Sequence, residues 1–227
     1  MLAGQDINLC PAFTLKDIIM ANNELNNLGH NQVPEQQSGS EMNAVATEMM
    51  DTLSQASAFY TLVKQRLLAV NSWYEFAELP AATFKLFDHS GAMADRAAQV
   101  GDYIRIDIPG PGTKAGEGYD WVIIEELTEE VNEDSELITM KVRPSAHPSD
   151  KADHPAHFLE SIATATFQVK HMGIFVQVEQ HGRNEVPNTH TTVISDNIRN
   201  TLVGWTAKLG LSYPQWKSLV EGLIKRP

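Results

Sequence analysis

The chain is poor in cysteine and in positive charge, and both shortages exclude classes of protein. Only one cysteine, Cys10, occurs in 227 residues, so an intramolecular disulfide framework cannot form. Lysine and arginine number 17 against 29 aspartate and glutamate residues, which gives a net charge of -12. A chain this acidic lacks the positive face that displaces counterions from phosphates. We therefore expect no nucleic-acid partner and no anionic membrane partner.

Long apolar runs are also missing. No stretch approaches the roughly 20 apolar residues that a membrane-spanning helix needs. The segment Met1–Asp6 has no basic region leading into an apolar stretch, so we expect no secretory signal. Together with the single cysteine, these absences predict a cytoplasmic protein. The chain carries no cofactor-binding motif of established spacing, and we expect no cofactor.

What is present suffices for one sizeable core. With 227 residues, of which 42% are hydrophobic, the chain fits a single domain with an appendage better than two full domains. We divide it into an N-terminal arm, residues 1–40, and a single α+β domain, residues 41–227. The arm contains a predicted helix at 15–28, which Thr14 can cap and Gly29 can end.

The segment after the arm is ambiguous between helix and strand. Its apolar residues recur every three or four positions, which predicts one continuous helix over 41–67. A rival interpretation ends the helix near Ala58 and makes 59–70 a strand. The periodicity favours the continuous helix. A short helical turn is expected at 72–79, before Pro80.

Beyond residue 83 the apolar period changes to two, which is typical of half-buried strands. Short connections predict a bent, mainly antiparallel sheet of about six strands. A tight hairpin at 171–173 joins the last two, and a brief helix is expected at 155–162. The six predicted strands are residues 84–87, 104–108, 119–127, 136–143, 164–170 and 174–181.

Two amphipathic helices are predicted between Asp196 and Pro227. Ser212 and Gln215 can form a capping box at the start of the second helix. The apolar faces carry Trp205 in the first helix and Trp216 in the second. We expect both helices to cover the sheet, because such faces must be buried against another element.

This order of elements, with antiparallel strands followed by a long C-terminal helix, resembles helix-grip domains of the START-like kind. The resemblance covers about residues 59–227 and takes 59–70 as the first strand. It rests on topology, without shared motif residues, so it carries over no site residue. It implies a bent sheet that wraps a terminal helix around an apolar cavity.

The favoured functional hypothesis is a non-enzymatic protein that binds an apolar small molecule between the sheet and the C-terminal helix. Inward-facing aromatic side chains would form the walls, with an arginine at the mouth and the glycine-rich loop 109–118 as a gate. A cavity of at least about 100 Å³ is expected for such a ligand. The predicted ligand-binding residues are Trp121, Phe167, Trp205, Trp216, Arg143 and Arg183.

A second hypothesis makes the chain a structural or assembly component. A short helix such as 15–28 is marginal in isolation and is normally stabilised by packing against another surface. The arm, residues 1–40, could therefore dock on a neighbouring subunit and build a homo-oligomer or a larger assembly.

A third hypothesis is a hydrolase or cyclase. His181, Arg183 and Glu185 form the densest polar run of the chain, and Gly182 permits a bulge that could turn Arg183 or Glu185 toward the core. Imidazole and carboxylate together can transfer protons. A metal is not expected, because no established ligand spacing is present. The candidate ligands, if zinc or iron did bind, are His154, His157 and Glu160.

Overall fold

A computed structural model describes residues 14–77, 82–107, 118–149, 157, 159–187 and 214–227. The strands are β1 Ser40–Met49, β2 Thr83–Phe87, β3 Tyr103–Asp107, β4 Asp120–Val131, β5 Ser135–Pro144, β6 Thr164–Met172 and β7 Phe175–Glu185. The helices are α1 Leu15–Asn27, α2 Leu53–Leu68, α3 Trp73–Phe76 and α4, residues 214–223. All seven strands form one antiparallel sheet in the order β1-β7-β6-β5-β4-β3-β2.

The predicted fold class is confirmed: the protein is α+β, with an antiparallel sheet and a C-terminal helix. All six predicted strands are present, and β1 adds a seventh. The connectivity is similar to the helix-grip arrangement, with different assignments from those that the sequence suggested. The first strand is β1, and α2 and α3 form the connection from β1 to β2.

The prediction of a continuous helix over 41–67 is wrong in its first part, where the chain forms the edge strand β1. Met42 and Ala44 are buried whereas Val45 is half exposed, so the true period there is two. Pairing with β7 along the whole of β1 decides this conformation. The helix begins after Thr52, whose side chain accepts a hydrogen bond from a backbone amide of the first turn.

The rival prediction of a strand at 59–70 is also wrong, because α2 continues to Leu68. The short helical turn predicted at 72–79 is present as α3. One face of α2 is buried against the sheet. That face consists of Ala56, Phe59, Tyr60, Val63 and Leu67.

The main core lies between one face of the sheet, here called the inner face, and helices α2, α3 and α4. Period two places alternate residues of each strand on this face, and the opposite residues form the outer face. Strand residues of the inner face include Phe84, Ile104, Ile124, Met140, Phe167 and Val178. Helical residues that pack on them include Phe59, Val63, Trp73, Leu219 and Leu223.

Helix α1 packs on the outer face, across β6 and β7. Leu25 is fully buried against Ile174 and Phe175. The helix predicted at 15–28 is present and ends at Asn27. Gly29 follows it, and the Gly29 carbonyl accepts a 2.9 Å hydrogen bond from the Gln168 side-chain amide. The arm thus stabilises its own sheet, and docking on a neighbouring subunit stays a prediction.

The predicted β6–β7 hairpin is present, with Gly173 and Ile174 at its turn. The brief helix predicted at 155–162 is absent from 159–162, where Leu159 instead forms an isolated bridge with Pro187. The second C-terminal helix is α4. The first C-terminal helix, with Trp205, lies outside the described residues, as do most of loop 109–118 and Ser212.

Among the described residues, no helix combines the length and the apolar character that a membrane span requires.

Helix α4 can approach α3 closely because residue 222 is glycine. A β-carbon at Gly222 would overlap the Phe76 carbonyl oxygen. We expect Gly222→Ala to lower the free energy of unfolding by about 2–3 kcal/mol, since the contact is with backbone that cannot rotate away. Urea unfolding measures this change. Glu221→Ala, exposed on the same helix, should stay within about 0.5 kcal/mol of the wild type. If the two variants changed the free energy of unfolding equally, α4 would not pack against α3 as described.

Candidate functional site

A cavity lies between the inner face of the sheet and helices α3 and α4, with a volume of about 60 Å³. Four aromatic rings surround it as a closed circuit. The Trp73 ring centroid lies 5.3 Å from that of Phe84 and 5.2 Å from that of Phe167. The Trp216 ring closes the circuit, at 5.9 Å from Phe84 and 5.4 Å from Phe167. Because each ring contacts two others, the walls hold one another in place.

The remaining apolar walls come from strands β3, β4, β5 and β6 and from the segment before β6. These residues are branched or small, and their packing leaves the space that the rings do not fill. They are Ile104, Ile106, Val122, Val142, Pro144, Leu159, Ala163 and Ala165. The cavity is smaller than the volume expected from the sequence, so that size prediction is wrong, and the small volume counts against a preformed pocket for a ring-sized ligand.

The cavity also has four polar lining residues, which are His157, Thr164, Gln215 and Glu185. Glu185, at the end of β7, is the acidic one. The pairing of β1 with β7 shifts by one residue between Ser40 and Met42, and Asn184 adopts a left-handed conformation with φ 56°. This bulge turns the Glu185 side chain back over Gly182, where a β-carbon would overlap the carboxylate. The predicted bulge therefore exists, and it directs Glu185 toward the core.

The Glu185 carboxyl is only partly compensated. Ser40 Oγ donates to its Oε2 atom at 3.2 Å, and no other described side chain hydrogen-bonds to it. Burial raises the pKa of this carboxyl, against smaller opposing effects of the Ser40 hydroxyl and the Arg183 charge. Thr164, which also lines the cavity, has a buried hydroxyl without a hydrogen-bond partner among the described residues.

Gln180 is a second polar group of the inner face that lacks partners. It is fully buried and lies directly across from the cavity wall residue Phe167 in the β6–β7 pairing. Neither its amide nitrogen nor its amide oxygen is hydrogen-bonded within the described part of the chain. An unpaired buried amide costs about 1–3 kcal/mol, so this face carries more polarity than a core alone would need.

The predicted wall residues divide into three groups. Phe167 and Trp216 line the cavity. Trp121 does not: its ring packs against Phe87 at 5.0 Å and His147 at 4.7 Å between centroids. The alternation of β4 places its neighbour Val122 on the inner face, so Trp121 points outward. Trp205 lies outside the described residues.

Neither predicted mouth arginine lines the cavity. Arg143 Nε donates to Glu125 Oε1 at 2.6 Å, and its Nη1 donates to the Ser161 carbonyl at 2.8 Å. Arg183 Nη1 donates to the carbonyls of Met42 and Gly182, at 3.1 and 2.8 Å. Both guanidinium groups are therefore engaged by protein acceptors and stabilise the sheet and its flanking segments.

The predicted catalytic group is divided between the two faces of the sheet. His181 lies on the outer face, where its Nδ1 atom is 2.7 Å from Asn43 Oδ1 and its Nε2 atom is 2.8 Å from Glu179 Oε2. Glu185 turns to the inner face. The described structure therefore does not bring His181 and Glu185 together as an acid–base pair.

His181 instead belongs to a buried ionic cluster with Lys170 and Glu179, which sequence reasoning missed. Lys170 is 1% exposed, and its Nζ atom lies 2.7 Å from Glu179 Oε2. Burial lowers the pKa of the Lys170 ammonium although Glu179 opposes the change. For Glu179, burial acts to raise the pKa, but His181 and Lys170 together bring it below its usual range. The sequence did contain a signal for this cluster. Side chains alternate between the two faces along 164–170, so Lys170 lies on the same face as the buried Gln168.

The metal candidates do not form a site in the described residues. His154 lies outside them, and His157 accepts a 3.0 Å hydrogen bond at Nδ1 from the Leu159 amide. Glu160 is held through its backbone amide, which donates to the Val186 carbonyl. Over the described ranges, no group of three histidine, cysteine, aspartate or glutamate side chains could hold a metal ion.

Comparison with known proteins gives no named relative. No family model and no curated protein matches the chain. A hypothetical protein from Helicobacter pylori is similar at 8% identity and a TM-score of 0.43, over 83% of this chain and 95% of that one.

Two further solved structures are similar at the level of the fold. Norcoclaurine synthase from Thalictrum flavum, solved with dopamine and hydroxybenzaldehyde, shares 12% identity with a TM-score of 0.31, over 80% of this chain and 96% of that one. Ara h 8.0201 shares 10% identity with a TM-score of 0.32, over 82% and 98%.

The ion pair of Lys170 and Glu179 on the outer face can be tested by removing one charge or both. Lys170→Met leaves the buried Glu179 with only His181 beside it, so we expect a loss of about 3 kcal/mol in the free energy of unfolding. The double variant Lys170→Met/Glu179→Leu removes both charges and should be more stable than the single variant. Chemical denaturation at neutral pH measures both. A single variant as stable as the wild type would show that the pair is not buried.

Proposed function

We propose that this protein binds a small apolar molecule with one hydrogen-bond donor, and that it does so without catalysing a reaction. The observation that supports the proposal is the circuit of four aromatic rings around a cavity that Glu185 also lines. Apolar walls with a few placed polar groups are the usual composition of small-molecule sites. The proposal includes a cytoplasmic location, which the single cysteine and the absence of a long apolar run support.

The chemistry of Glu185 and Thr164 suggests which polar group the ligand carries. The Glu185 carboxylate is half-buried, and among the described side chains only the Ser40 hydroxyl donates a hydrogen bond to it, so part of its lost hydration is not replaced. A hydroxyl or amine of a ligand would supply the missing donor to Glu185, and the Thr164 hydroxyl could either donate to or accept from the same group. A ligand carboxylate would instead be repelled by Glu185. We therefore favour a neutral or cationic donor over an anionic head.

The cavity volume limits the ligand. About 60 Å³ is well below the roughly 150 Å³ cavity that holds benzene in an engineered protein. A ring-sized ligand thus requires one wall to move. Trp73, Phe84 and Phe167 are at most 1% exposed, whereas Trp216 is only partly buried at the edge of the core. Rotation of the Trp216 side chain is the movement that we propose for ligand entry.

The separation of His181 from Glu185 removes the acid–base pair that the sequence suggested for a hydrolase or cyclase, and this supports binding over catalysis. His157 also lines the cavity, but its Nδ1 atom already accepts a hydrogen bond from the Leu159 amide. The assembly hypothesis through residues 1–40 is less favoured, since α1 is already packed on its own sheet. Binding therefore remains the leading proposal.

Binding is tested with phenol and benzene, which differ in one hydroxyl group. We expect phenol to bind about tenfold more tightly than benzene, because its hydroxyl can donate to Glu185. Ligand-observed NMR measures both affinities. Ala165→Leu should fill the cavity and abolish binding, whereas Ala97→Leu, on the exposed surface, should not. Failure of both compounds to bind the wild type, with no ligand retained in native mass spectrometry, would contradict the proposal.

The ionisation of Glu185 gives a pH dependence. Burial raises the pKa of this carboxyl above its ordinary value, so it becomes protonated at a higher pH than an exposed glutamate. We expect the affinity for phenol to fall as the pH is lowered through that pKa, because the protonated carboxyl is a poorer acceptor. Titration of the dissociation constant with pH measures this. The affinity of Glu185→Gln for phenol should not depend on pH in this range. If the variant showed the same pH dependence as the wild type, Glu185 would not be part of the site.

A further inference from the structure

The two edges of the sheet differ in how their backbone groups are satisfied. At the β2 edge, the Leu86 amide donates to Asn71 Oδ1 at 2.8 Å. The Leu86 carbonyl accepts from the Ala94 amide at 2.8 Å, and Phe87 forms a bridge with Met93. A side chain and a short loop therefore cover this edge and prevent another strand from pairing there.

The β1 edge has no such cover in the part of the chain that the structure describes. Strand β1 is ten residues long and pairs only with β7. The side-chain bonds to its backbone come from Arg183 to the Met42 carbonyl and from Arg226 to the Met49 carbonyl, near its two ends. The central backbone of β1 thus offers unpaired groups to a further strand.

The central residues of this edge also lack the features that prevent pairing. Residues 43–47 contain no charge and no proline, and the register shift lies outside them, between Ser40 and Met42. Val45 is 52% exposed and Met49 is 43% exposed. A long edge with an uncharged centre and exposed apolar side chains is a template for intermolecular strand pairing.

We infer that two copies of this chain associate through antiparallel pairing of their β1 strands, about a two-fold axis at Val45. This inference does not depend on the proposed ligand. Pairing centred on Val45 sets Met42 opposite Glu48, so the carboxylates of the two strands do not face each other. It also sets the partner subunit's Glu41 opposite Met49.

Charge complementarity favours a second copy as the occupant of this edge. Arg226 reaches Met49 already, with its Nη2 atom 2.6 Å from the carbonyl and its Nε atom 2.8 Å from Glu48 Oε2. The partner's Glu41 would lie beside the same guanidinium group, and the two-fold axis repeats this contact. Glu41 is exposed, and no hydrogen bond or ion pair of its side chain occurs among the described residues. Such an isologous interface closes on itself, so it stops at a dimer.

The interface is an edge contact and buries little surface. Interfaces below about 1,200 Å² are commonly weak or transient, so we expect a concentration-dependent dimer. Sedimentation velocity of the full chain over a wide concentration range should show the mass rising from monomer to dimer. A wild type that remains monomeric at every concentration would overturn the inference.

A charge at the two-fold axis is the decisive variant. In Val45→Lys, each lysine faces its own copy across the axis, so we expect dimerisation to weaken at least about tenfold. Val100→Lys is the matched control, because Val100 is 59% exposed and lies before β3. It should dimerise as the wild type does. Circular dichroism of both variants verifies the fold, and equal dimerisation by the two variants would contradict the pairing.

Hydrogen exchange distinguishes β1 from other interfaces. Amides of residues 43–47 should become more protected as the protein concentration rises, because pairing gives outward-facing amides a partner. A dimer that formed through the N-terminal arm would change the exchange of α1 and leave β1 unaltered. That result would overturn the inference even if the wild type is dimeric.

Discussion

The structure depends on the contact between the inner face of the sheet and the helices α2, α3 and α4. Trp73 and Trp216 reach the sheet from two different helices and meet Phe84 and Phe167, which belong to distant strands. Large flat rings in tilted and edge-on contact cannot fill all the space between them. The cavity is thus a consequence of how the core is packed, and its size follows from the position of α4, which Gly222 allows to approach α3.

The position of Glu185 in the cavity lining depends on the pairing of β1 with β7. The register shift beside Met42 turns the Glu185 carboxylate inward over Gly182, and the same pairing sets the Ser40 hydroxyl next to it. Strand β1 therefore has two roles. The side that pairs with β7 holds the bulge that carries Glu185, and the opposite side forms the open edge of the sheet.

Prediction from the sequence succeeded where the apolar period was unambiguous. Residues 164–181 alternate clearly, and the structure forms the hairpin of β6 and β7 there. Prediction failed over 41–49, where Met42, Val45 and Met49 have helical spacing by coincidence. Pairing with β7 supplies backbone hydrogen bonds and buries Met42, and this tertiary gain overrides the local periodicity.

The sequence by itself determined the class of the fold, most of its strands and the apolar face of α4, because these follow from local periodicity and capping. Only the tertiary structure decided which side chains share a site. Because side chains alternate along a strand, Trp121 and His181 lie on the outer face of the sheet. A single bulge turns Glu185 toward the inner face, and the packing of α3 on the sheet places Trp73 in the cavity wall. Residues far apart in the chain meet through strand order and register, and local sequence patterns do not encode either.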